Sequence, residues 1–199
     1  MKNFKTLGII ALLTLAISSC TNPNGTVTFP LPPCTTVNTT FDQLYNNVVA
    51  LPGYVNDVTY DTEIHEYTFQ LSANKTICSV GYQSQPAIAN TPYLIEIVDA
   101  TNTPIYSGNH VFSSANTSYV SITPTAIIAN QSYKMRRTIL VANAGNLSSN
   151  VIGRLVRQNG ALVSFPQNFG IMTITSANFY QNGGPLLNMG IPYIDIAFF

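Results

Sequence analysis

Few side chains in this sequence can do chemistry, and they fall in three places. Asp61, Glu63 and His65 alternate in one short stretch. If that stretch is extended the three share a face, where oxygen ligands beside an imidazole could hold a cation. The same phase runs on into Tyr67, Phe69 and Leu71, which belong in a core. The stretch therefore reads as a strand edge or loop with polar side chains in solvent, and no metal is expected. Lys134, Arg136 and Arg137 form the one basic cluster, and the planar guanidinium fork suits carboxylates or phosphates. Alternation puts Arg136 and Arg137 on opposite faces, so one of them can pair with Glu96, Asp99 or Asp195 on a neighbouring strand. With Tyr133 they are the candidate ligand-binding residues. Tyrosines at 45, 54, 60, 82, 93, 106, 119 and 193 could stack on sugar rings or anchor a protein partner. Cross-strand packing is the simpler use for most of them.

Catalysis has few candidates. His65 and His110 are the two histidines, neither lies near a Ser or Cys nucleophile motif, and no GxSxG, HExxH, P-loop or dinucleotide-binding pattern occurs. Carboxylates from separate strands could still converge as an acid–base pair, the remaining route to an envelope enzyme. The chain reads as non-catalytic, with no catalytic residue and no cofactor expected.

The N-terminus carries the most specific signal. Lys2 and Lys5 precede an uncharged apolar run from Leu7 to Ile17, followed by small residues and a cysteine. This is the layout of an export signal, and the run is too short for a helix that crosses a bilayer, which needs about 20 apolar residues. Ile17-Ser18-Ser19-Cys20 resembles the bacterial lipobox. The resemblance implies a signal peptide over 1–19, removal of that segment, and acylation of Cys20, so that the protein is membrane-tethered through several acyl chains. Thr21 follows Cys20 with no acidic run, which by analogy with lipoprotein sorting leans towards the outer membrane, facing the periplasm or cell surface.

With Cys20 lipidated, Cys34 and Cys78 remain as an even pair in an oxidising compartment. A disulfide and two buried thiols are the alternatives, and the bridge is favoured. Once Lys2 and Lys5 are removed, six basic residues face eight acidic ones, a net charge of −2, so no basic field exists to hold nucleic acid. Charged residues are only 8% of the chain, against about 25% in an average soluble protein. Asn, Thr, Ser and Tyr fill the surface role instead. Such a surface suits contact with sugars or other proteins, and it also suits plain compositional bias.

The elements that must position these residues are strands. Residues 20–33 are rich in Pro, Asn and Gly and read as a flexible tether, and 34–199 as a single domain. Alternating runs predict strands over 66–71, 76–82, 93–98, 104–107, 118–122, 132–141, 170–180 and 191–199, separated by Asn, Gly and Pro turns. In the last of them Ile194, Ile196 and Phe198 point inward while Tyr193 and Asp195 point outward. Residues 41–51 and 151–157 could form one or two helical turns each. Roughly eight to ten strands predict an all-β, antiparallel β-sandwich, most simply a jelly roll, after the N-terminal signal helix and tether.

The order Val80-Gly81-Tyr82, Tyr93 to Ile97, Ile105-Tyr106-Ser107-Gly108, Tyr119 to Ile122, Ile127 to Asn130 and Tyr133 resembles the jelly-roll modules of the PHR type and related bacterial cell-surface modules. The resemblance covers about half of the mature chain, implies a module that binds or displays, and transfers no binding residue; after Leu140, residues 151–157 look like an insertion. The expected function is a lipid-anchored envelope protein that binds a glycan or protein partner. A structural subunit of a surface fibre or adhesin is the alternative.

Overall fold

The computed structural model describes residues 32–60, 62–141, 151–181 and 183–199. The signal segment, Cys20, the tether as far as residue 31, and Asp61 lie outside the described residues. The described elements are helix α1 (Thr40–Val49) and strands β1 (Tyr54–Tyr60), β2 (Ile64–Leu71), β3 (Lys75–Tyr82), β4 (Tyr93–Val98), β5 (Pro104–His110), β6 (Ser118–Ile127) and β7 (Tyr133–Ile139). After these come β8 (Val151–Gln158), β9 (Gln167–Phe169), β10 (Met172–Gln181), β11 (Gly184–Leu187), β12 (Ile191–Pro192) and β13 (Asp195–Phe198).

All strand pairs are antiparallel. The largest sheet runs β11-β10-β2-β7-β4-β5, with β9 added beside β10; two smaller sheets run β1-β8-β12 and β13-β3-β6. The expected all-β antiparallel sandwich is therefore the fold class, with one helix. Period-two alternation explains the large sheet: Tyr67 on β2 stands opposite Met135 on β7, which stands opposite Ile97 on β4, and all three are buried. The core lies between this face and the smaller sheets, which contribute Ile77, Val80, Tyr82, Ile122, Val156 and Ile191.

The helix is better specified than a pair of loose turns. Thr39 caps it, its hydroxyl accepting the Asp42 backbone N–H at 3.0 Å, and Asp42 adds an acidic side chain to the first turn. Phe41, Leu44, Tyr45 and Val48 recur at helical spacing and form one buried stripe. The helix ends before Pro52 and Gly53, the latter at φ 82°, a backbone conformation glycine adopts without strain.

Two expectations are corrected. Residues 151–157 are not helical but form β8, between β1 and β12, with Leu155 and Val156 buried. Gly153 and the β-branched Val151, Ile152 and Val156 disfavour a helix, and pairing partners about 40 and 100 residues away supply the hydrogen bonds of a strand. The C-terminal strand is not one element with a wet face. It splits into β12 and β13 in different sheets, and Tyr193 and Asp195 are buried rather than outward. Its second face is covered too, because α1 lies against it: Phe41 and Tyr45 pack edge-on to the Tyr193 ring at 5.4 and 4.9 Å.

Cys34 and Cys78 are joined in a disulfide, with Cα atoms 5.9 Å apart. It fastens the segment that leads into α1 to the middle strand of the β13-β3-β6 sheet.

Candidate functional site

Three of the residues singled out above lie within seven positions on β7, and pleating sends them to different places. Arg136 points to the outer face of the large sheet, where its Nε donates to Glu66 at 2.9 Å and its Nη1 lies 3.7 Å from Glu96. Asn178 and Tyr180 also donate to the Glu66 carboxylate, at 3.2 and 2.9 Å. Burial pushes the Glu66 carboxyl up, but these donors outweigh it and hold the group below its ordinary range. The residues form a row across four strands, β10, β2, β7 and β4, with both Arg136 contacts already committed to carboxylates.

Arg137 faces the opposite way and is fully buried. Its guanidinium lies 5.2 Å from the Tyr82 ring centre and 5.3 Å from that of Tyr93, and donates to the carbonyl oxygens of Thr62 at 2.9 Å and Glu63 at 3.4 Å. Its side chain is enclosed in the core, away from the surface. His65, beside it, is buried, with Nε2 accepting the Thr62 N–H at 3.2 Å, and burial together with the Arg137 charge holds its pKa well below that of free imidazole. Glu63 is exposed, so His65 and Glu63 do not converge. Among the described residues no three His, Cys, Asp or Glu side chains gather as metal ligands.

Tyr133, the third, lines a cleft. The large sheet ends at β5 and the β13-β3-β6 sheet ends at β6, and between these two edges lies a cleft of about 440 Å³. Ile105, Tyr106, Pro124, Ile128 and Tyr133 supply its apolar surface, and Asp99, Thr123, Thr125 and Gln131 supply oxygen and nitrogen atoms. Ile105 and Ile128 are 40% and 52% exposed and both face the cleft. The Tyr133 hydroxyl accepts the Ile128 N–H and donates to Gln131, so this wall is braced from within.

Strand β5 builds the opposite wall. Tyr106, Gly108 and His110 stand opposite Ile97, Ile95 and Tyr93 on β4, so they share the inward face at the open edge of the sandwich. The Tyr106 hydroxyl meets His110 Nε2 at 2.5 Å, and the pair arches over Gly108, where a Cβ would displace the Tyr106 hydroxyl. Burial raises the Tyr106 pKa and lowers that of His110, so both are neutral at pH 7. Asp99 is committed to its own loop: its Oδ1 accepts from Thr101 and Thr103, and the Thr101 hydroxyl in particular lowers its pKa. The cleft thus offers apolar side chains, ring faces, hydroxyls and an amide, with one carboxylate at the rim. It suits an uncharged, partly apolar ligand, and its volume falls within the usual range for small-molecule sites.

Tyr133 and Tyr106 are recognisable in the sequence as candidate contact residues, whereas nothing there marks Ile105, Ile128 or Gln131 as lining a site. The Tyr106-x-Gly108-x-His110 spacing was the available signal, since a glycine between two large side chains on one strand face marks a close approach. Of the eight tyrosines, Tyr45, Tyr82, Tyr93 and Tyr193 are core residues and take no part in a surface platform. No family model matches the chain, and no curated protein matches it.

Proposed function

We propose that this chain is a lipid-anchored protein of the bacterial cell envelope, held to the membrane through Cys20, whose β-sandwich binds a glycan or a protein partner without transforming it. The observation that carries the binding reading is the cleft between β5 and β6, with two exposed isoleucines and two tyrosines beside neutral hydrogen-bonding groups. Sugars present both apolar faces and hydroxyls, and so does this lining. The low charge of the chain fits association without long-range steering. Two experiments test the reading. A thermal-shift screen of envelope glycans and peptides against the chain from residue 32 onward should give a saturable hit that Tyr106→Ala and Ile128→Arg abolish. Metabolic labelling with a palmitate analogue should mark the full-length protein and not its Cys20→Ala variant.

A second reading, a subunit of a surface fibre, is favoured by the strand edges at β5, β6 and β11, which end their sheets and could pair with another chain. Concentration-dependent filaments in sedimentation and electron microscopy would select it. A persistent monomer that binds a ligand would select the first.

A further inference from the structure

Chain entry and charge single out one face of the domain. Residues 32–38 lead into it and are held by the Cys34–Cys78 bridge to β3, the middle strand of the β13-β3-β6 sheet. This segment carries no charge, and the three strands carry only Lys75 and the buried Asp195. The other described carboxylates belong elsewhere: Asp57 to β1, Glu66 and Glu96 to the large sheet, and Glu63 and Asp99 to the loops beside it. Asp42, in the first turn of α1, is the acid nearest in sequence to the entry segment. It is committed to the Tyr193 hydroxyl at 2.7 Å and the Asn46 amide at 3.1 Å.

The outward side of this sheet is smooth as well as uncharged. Ile196 and Val80 stand opposite one another and point into the core, so Asp195, Gly81 and Tyr119 face the other way. The Tyr119 ring lies over Gly81, its Cε1 2.5 Å from where a Cβ would be. Its hydroxyl donates to the Asp195 carboxylate. The same register sets the small side chains of Ala197, Ser79 and Ser121 in the next row. Val37 borders the face beyond β13, across a hollow lined by Ile196, Ala197 and Phe198. At 71% it is the most exposed large apolar side chain among the described residues. Lys75, at the same end of the sheet, holds its Nζ 5.8 Å from the Phe198 ring centre.

We propose that this face docks on the membrane to which the chain is tethered, with Val37 entering the headgroup layer and Lys75 meeting anionic lipid phosphates. The proposal rests on acylation of Cys20. Residues 21–31 are all that separates Cys20 from the described domain, so the domain stays within about 40 Å of the lipid. That confinement makes docking an intramolecular event, in which a contact too weak to hold a free domain becomes populated. Interfacial binding grows with apolar area and with attraction to anionic lipid. Exposed carboxylates oppose it, and among the described residues the outward side of this sheet has none.

The chain has no Trp, so an introduced one is an unambiguous reporter. Val37→Trp and Ser121→Trp place it on this face, and Ser107→Trp places it at an exposed position of β5 in the large sheet. Each full-length acylated variant is reconstituted on vesicles of phosphatidylethanolamine and phosphatidylglycerol whose acyl chains are brominated near the headgroup. Emission from Val37→Trp should shift to shorter wavelength and be quenched while that from Ser107→Trp is unchanged, and adding Lys75→Glu should weaken the quenching. Should Val37→Trp not fold, Ser121→Trp carries the same comparison. Equal emission from both faces, in chains that float with the vesicles, would overturn the docking and leave the anchor standing. A chain that does not float would overturn the anchor and the docking with it. A blue shift in the Cys20→Ala chain without vesicles, growing with protein concentration, would put a second copy on the face and overturn the proposal as well.

Discussion

Replacing Cys34 and Cys78 together by serine should cost the domain about 4 kcal/mol, almost all of it through the unfolded chain. The bridge joins residues 44 apart. For a loop of that size the chain-entropy relation gives about 13 cal/mol/K, hence about 4 kcal/mol at 25 °C. The folded side should change little: residues 35, 37 and 38 of the entering segment are exposed, and the helix keeps its own cap at Thr39. The chain has no Trp, so urea unfolding is best followed by far-UV circular dichroism. With a slope of about 2 kcal/mol/M the midpoint should fall by about 2 M. The slope itself should rise, because an uncrosslinked unfolded chain exposes more surface. The oxidised wild type after reduction should superimpose on the double variant. A loss under about 1 kcal/mol would refute the reasoning, since it would mean that the unfolded chain keeps residues 34 and 78 together without the bond.

Other perturbations test particular contacts. Arg137→Ala leaves the Thr62 and Glu63 carbonyls without their guanidinium donor and opens a cavity beside the Tyr82 and Tyr93 rings, so we expect a loss of about 3–5 kcal/mol in chemical denaturation. A loss under 1 kcal/mol would show the clamp to be dispensable. His65 has a depressed folded-state pKa, so its contribution is present above about pH 6.5 and is lost as pH falls; in His65→Gln that part of the pH–stability curve should flatten, and an unchanged slope would contradict the assignment. Glu66→Gln should cost about 2 kcal/mol at pH 7 and progressively less as acid protonates the wild-type carboxylate, because its folded-state pKa is lowered; a pH-independent cost would rule out a charge-assisted role.

Much of the architecture is legible in the chain without coordinates. Strand β2 is visible because Tyr67, Phe69 and Leu71 alternate with a period of two, and β10 through its Ile, Thr and aromatic content, although a bulge between Ile174 and Ser176 shifts its phase. Parity favours a Cys34–Cys78 pair if Cys20 carries a lipid but leaves two buried thiols as the alternative, and the fold decides for the bridge. Opposite faces for Arg136 and Arg137 also follow from the pleat, but which face is covered does not. Arg137 is sealed in the core because β3 and β4 bring the paired rings of Tyr82 and Tyr93 against it, from positions far away in sequence.

What the tertiary structure alone decides are the places where a second element covers a face that local alternation leaves wet. Asp195 sits in a run that reads as half-exposed, yet α1, about 150 residues earlier, packs over it and turns a surface carboxylate into a buried one. Strand β8 has a weak local pattern, and its identity comes from β1 and β12, which flank it. The cleft is formed by residues 99–106 and 123–133 meeting at the ends of two different sheets. Periodicity is a property of neighbours along the chain, so it fixes elements and faces. Burial, charge state and concavity arise from segments that meet only after folding, and they are settled by the arrangement of the sheets.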